Sequence, residues 1–100
     1  MADKKQREVD AWIRKAENDI RGAQVDMDAT PPLIEDALFH CQQAAEKAMK
    51  AFLTAHDTPF RKTHDLDEPA MTCEEIDPSL KEAEALVPAR NLSVFAWEFR

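Results

Sequence analysis

Five polar residues between positions 36 and 50 have the types and spacing to do chemistry: Asp36, His40, Gln43, Lys47 and Lys50. At 100° per residue they share one arc of a helix, and His40 and Lys47, two turns apart, lie nearly in line. A ridge that is cationic and rich in hydrogen-bond donors could hold a phosphate or a nucleobase. The plainer reading is a solvated helix face with His40 at the edge of the core. A second group follows in the segment Phe60-Arg61-Lys62-Thr63-His64-Asp65, where Arg61, Lys62 and His64 gather three potential cations. Backbone amides at the start of a following helix could add to an anion site there. The alternative is that His64 packs against the preceding helix while Arg61 and Lys62 keep the loop soluble.

Other chemistries find little support. His56 and His64 lack ligand spacing, so no metal site is expected. Cys41 falls on an apolar stripe and Cys73 has no base nearby in sequence, which disfavours a nucleophilic thiol. One glycine, Gly22, cannot build a phosphate-cradling loop, and no cofactor is expected. Trp12 and Trp97 read as core or interface anchors.

Two long elements must position the ridge. Val9, Trp12, Ile13, Ala16, Ile20, Ala23 and Met27 recur at three- and four-residue steps, which predicts a helix from about Lys4 to Asp28. Asp10, Arg14, Glu17, Asn18 and Arg21 form its solvated side. Thr30-Pro31-Pro32 breaks the chain, the prolines suiting a first helical turn. A second stripe through Ile34, Ala37, Leu38, Cys41, Ala44, Ala45, Ala48, Met49, Phe52 and Leu53 predicts a helix from about Leu33 to His56. The short connection and long stripes predict an antiparallel hairpin.

Residues 57 to 67 read as a loop, with Pro69 making the next helix short or late. Thr72-Cys73-Glu74-Glu75 has capping-box spacing, and Asp77-Pro78 is a second start signal for a helix reaching Ala85 or Leu86. The apolar and aromatic stretch from Val94 to Phe99 calls for burial against the hairpin or another subunit.

The whole composition agrees with a helical reading. The chain has 100 residues, 44% hydrophobic and 33% charged, with a single Gly, so the fold class is all-α and one domain. A formal net charge of −7 disfavours nonspecific binding to a phosphate backbone outside a local basic patch. Two cysteines are too few for a disulfide scaffold and read as reduced thiols. With no apolar signal core and no run of about 18 apolar residues, the expected location is cytoplasmic and off the membrane.

Three ordered motifs resemble the HEPN domain, the higher-eukaryote and prokaryote nucleotide-binding family. They are Trp12-Ile13-Arg14-Lys15-Ala16-Glu17-Asn18-Asp19-Ile20, Phe39-His40-Cys41-Gln42-Gln43-Ala44-Ala45-Glu46-Lys47-Ala48-Met49-Lys50-Ala51 and Lys62-Thr63-His64-Asp65-Leu66. Asp77-Pro78-Ser79-Leu80 and Glu98-Phe99-Arg100 also fit. The resemblance implies an up-and-down bundle of four to five helices that forms a homodimer. It further implies a small prokaryotic protein of a two-component, toxin–antitoxin-like module, partnered by a minimal nucleotidyltransferase. Relatives include nucleotide-binding proteins and RNases, and the RNases carry an Arg, four to six residues, then a His.

That pair is missing: Arg61 and His64 have two residues between them, and Arg90 is followed by no His. Relatives also continue past the position of Arg100 with a further helix, so the chain is expected to lack the family's last element. The leading expectation is therefore a noncatalytic protein binding a nucleotide or a nucleotidyltransferase, with His40, Gln43, Lys47, Lys62 and His64 at the site. The alternatives are a divergent RNase using His40 or His64 on an RNA substrate, and a pure interaction module acting through Val94 to Phe99.

Overall fold

A computed structural model describes residues 3–61, 65–82 and 86, and every regular element among them is helical. Helix α1 runs Lys4–Asp28 and α2 runs Ile34–Ala55. The two pack along their length as the antiparallel hairpin expected from their stripes. Asp3 caps α1, its carboxylate accepting from the Gln6 amide at 2.8 Å. Pro31 and Pro32 sit before α2 instead of in its first turn, with Leu33 at the cap and a cis Thr30–Pro31 peptide. Ala16, Ala23, Ala37, Ala44 and Ala51 are buried, so small side chains let the backbones approach closely.

The end of α2 shows how sequence turns the chain. Asp57 takes a left-handed φ of 53°, the Thr58 amide donates to Leu53 O at 2.9 Å, and the Asp57 amide donates to Thr54 O at 3.1 Å. These are the paired bonds of a Schellman cap, made here with an Asp where Gly is usual. The Asp57 carboxylate reaches back to Lys5 Nζ at 3.2 Å, tying the turn to the start of α1.

Helix α3 runs Asp67–Ile76 and α4 runs Ser79–Glu82. This decides one expectation and corrects another. Of the two outcomes expected from Pro69, α3 is short, at ten residues, but not late, because Pro69 occupies the first turn, where its missing N–H is not needed. Thr72 is no cap: it lies inside α3, and its hydroxyl donates to Glu68 O at 3.0 Å. The start is set earlier, by the Asp65 carboxylate accepting from the Asp67 amide at 2.9 Å. Asp77 does start α4, accepting from the Ser79 hydroxyl at 2.6 Å and from its amide at 3.1 Å. Those two bonds hold the Asp77 carboxyl below its ordinary value, the hydroxyl contributing most. The reach of that helix to Ala85, and the segment from Val94 to Phe99, lie outside the described residues.

The core lies between α2 and α3: Met49, Leu53, Leu66, Ala70 and Cys73 are buried, with Phe52, Ile76, Leu80 and Leu86 packed around them. Burial pushes the Cys73 thiol up to about 11. Both cysteines are unpaired, Cys73 buried and Cys41 half-buried.

Candidate functional site

The polar ridge of α2 does not look outward over its whole length; its inner members face α1. His40 Nδ1 lies 2.9 Å from Asp19 Oδ1, and Lys47 Nζ donates a short hydrogen bond to Asp19 Oδ2. Asp19 is 9% exposed, so a nearly buried carboxylate holds both partners at once. The other ring nitrogen, His40 Nε2, lies 3.7 Å from Asp26 Oδ2, a buried oxygen with no hydrogen-bond partner among the described residues. The imidazole is thus bracketed by two carboxylates of one helix.

Local sequence makes this possible. Trp12, Asp19 and Asp26 are seven residues apart on α1, and His40 and Lys47 are seven apart on α2. A seven-residue step returns to nearly the same face of a helix, so the two sets meet across the antiparallel pair. Gly22 lies under the ring: a Cβ built there would come within 3.1 Å of His40 Cε1 and Nε2. The one glycine of the chain leaves space for an aromatic ring to lie flat on the helix.

Gln43 gives its Nε2 to Gln42 Oε1 at 2.8 Å, and Gln42 is fully buried. Of the five residues expected at the site, His40, Gln43 and Lys47 share one region, while Lys62 and His64 lie outside the described residues. Asp19 and Asp26 were missed by the sequence reading, which ranked α1 by its apolar stripe. Their seven-residue spacing, in step with His40 and Lys47, was the available signal.

A second cluster forms where the start of α1 meets the end of α2. Lys15 Nζ sits 4.8 Å from the centre of the Trp12 ring, and Lys50 Nζ sits 5.0 Å from Trp12 and 5.6 Å from Phe60. Trp12 and Phe60 meet edge-on at 6.0 Å. Lys50 also reaches Glu46 at 3.8 Å. Two clefts share Phe60 as a wall. One, about 300 Å³, is lined by Leu53, Pro59, Phe60, Arg61, Glu68, Pro69 and Thr72; the other opens toward Lys4, Lys5 and Trp12. Arg61 grips Glu68 through Nε at 2.9 Å and Nη2 at 2.7 Å, which raises the guanidinium above its ordinary value. Charge is segregated along the hairpin. Lys4, Lys5, Arg7, Arg14 and Lys15 crowd the start of α1, whereas Arg21 is the single Lys or Arg from 16 to 46.

The HEPN domain family model matches residues 9–100, which include all of α1 but its first five residues, the whole of α2 and every residue of the Asp19 network. The chain belongs to the HEPN family. No curated protein and no solved structure gives a significant match. Within this HEPN domain the motif around His40 builds the contact between the two long helices: its His and Lys are held by the Asp of the first motif. Among the described residues no helix is long and apolar enough to cross a membrane.

Proposed function

We propose that this HEPN protein is a noncatalytic homodimer that binds a nucleotide, as the binding half of a two-component module whose other half is a nucleotidyltransferase. The observation that carries this reading is the closure of His40 on Asp19 and Asp26. A general base or acid must offer a nitrogen to the proton it moves, and both nitrogens of this ring face a carboxylate, Asp19 at 2.9 Å and Asp26 at 3.7 Å. Lys47 spends its charge on Asp19 in the same way. In this reading Lys62 and His64 contact the phosphate, with His40, Gln43 and Lys47 on the adjacent helix.

Dimerisation is supported by the other side of the hairpin. Ile13, Ile20 and Met27 are 42%, 50% and 50% exposed, beside Ile34 at 55%. These side chains, seven residues apart on α1, form an apolar strip along two helices. A strip of that length is more than scattered surface residues, and a second copy of the same face would cover it.

The test combines two measurements on the purified chain. Incubation with single-stranded and structured RNA is expected to leave the RNA intact. Cleavage that disappears in His40→Gln would overturn the noncatalytic reading. Sedimentation equilibrium is expected to give a dimer that Ile20→Glu converts to monomer. A wild-type monomer at tens of micromolar would remove the homodimer from the proposal.

A further inference from the structure

We infer that the cleft walled by Phe60 is the seat for the base of a nucleotide, an amino-bearing purine, with its phosphate directed out over the cationic start of the hairpin. This rests on the nucleotide-binding reading above and gives that ligand a place that the ridge around His40 does not provide.

The argument starts from what the cleft offers. Its walls are flat or apolar: the Phe60 ring, the Pro59 and Pro69 rings, and Leu53 at its base. Its volume, about 300 Å³, is at the small end of ligand pockets and suits one planar heterocycle with its sugar outside. Phe60 is 37% exposed and lines both clefts, with Lys50 Nζ 5.6 Å from its ring, whereas Trp12 lines only one. Trp12 is crowded by two ammonium groups, so it is a support for Phe60 and not the stacking surface. A purine ring on Phe60 gains stacking that any base can supply.

The rim supplies polar recognition. The Glu68 carboxylate has more lone pairs than Arg61 occupies, and Thr72 keeps acceptor capacity after donating to Glu68 O. Both are acceptors, which matches the exocyclic amine of a purine. Arg61 uses Nε and Nη2 on Glu68, leaving Nη1 to meet a phosphate oxygen. Lys15 has no carboxylate within ion-pair distance among the described residues, and Lys50 only Glu46 at 3.8 Å. The start of the hairpin mixes Glu8 and Asp57 with Lys4, Lys5 and Lys15, whereas toward its turn a phosphate would meet Asp19, Asp26, Asp28, Glu35 and Asp36 with Arg21 as the single Lys or Arg from 16 to 46.

The experiment is a calorimetric and amide-NMR titration of the whole chain with AMP, with adenosine and ribose 5-phosphate as partial ligands. AMP is expected to bind saturably and shift the amides of Leu53, Phe60, Glu68 and Thr72. Ribose 5-phosphate, lacking the base, is expected to cause no such shifts. Phe60→Leu should weaken AMP about tenfold or more, the loss expected for one base–aromatic stack. Arg61→Gln, which leaves the ring in place, should weaken AMP but not adenosine. AMP binding that Phe60→Leu leaves unchanged, with a native circular dichroism spectrum, would overturn the seat while nucleotide binding stood. No shifts with millimolar AMP or GMP would overturn both.

Discussion

The two sides of the α1–α2 hairpin solve opposite problems with the same spacing. On one side, seven-residue steps bring Asp19 and Asp26 against His40 and Lys47, and charge is drawn inward. On the other, seven-residue steps line up Ile13, Ile20 and Met27, and apolar area is left outward. A monomer designed for stability alone would do the reverse, since taking charges out of water costs several kcal/mol before their attraction repays it. The difference teaches that the polar side fixes how the helices pair, whereas the apolar side is left open for the second copy proposed above. A one-turn slip of α2 along α1 would leave Asp19 without Lys47, and an apolar seam would not detect such a slip so sharply.

The largest expected effect breaks the polar side. Asp19→Ala leaves Lys47 and His40 without their shared acceptor, and urea unfolding should show a loss of about 2–3 kcal/mol. This lies at or below the lower limit of the range of about 3–5 kcal/mol for broken buried pairs, because Lys47 keeps 23% of its side chain exposed. Replacing both charges together, as Asp19→Leu with Lys47→Met, should recover more than half of that loss. If the double variant is as unstable as the single one, the network contributes more than unpaired charge.

A smaller effect sharpens the fit of His40. Gly22→Ala gains about 1 kcal/mol of helix propensity. Its new Cβ, however, meets a ring hydrogen-bonded to Asp19 through Nδ1, so the ring must shift by a few tenths of an ångström. The net change should be near zero, with the His40 ring resonances displaced. In a His40→Ala background the same substitution should yield its full gain. Equal gains in both backgrounds would show that the ring does not depend on Gly22.

The smallest effect on stability belongs to the apolar side. Ile20→Glu should change monomer stability by under about 0.5 kcal/mol, since half of the side chain already faces water. Its consequence should appear in association instead. A large loss in monomer stability would mean that this face is packed within the chain.

How far these features were legible follows the same division. The stripe from Val9 to Met27 predicted the limits of α1 as they occur, and α2 lies within a residue of expectation at either end. Periodicity averages over many residues, so one misread position does little harm. What escaped depended on a single partner. The stripe grouped Ile13, Ile20 and Met27 with Ala16 and Ala23, yet of these five only the two alanines are buried, because close approach favours the smallest side chains. Asp19 read as one more polar residue, because its meaning lies in His40 and Lys47, twenty-one and twenty-eight positions away. Thr72 matched a capping pattern that a local carboxylate, Asp65, had pre-empted.

Cys73 gives the molecule a built-in clock. Its thiol is 1% exposed and stays protonated at neutral pH, so an alkylating reagent reaches a thiolate only when α3 swings away from Met49 and Leu53. The rate of labelling then counts those excursions one at a time, with Cys41 as the fast reference on the same chain. A ligand seated between Phe60 and Pro69 would latch α3 to the end of α2, and Cys73 would register it as slower labelling while Cys41 kept its pace.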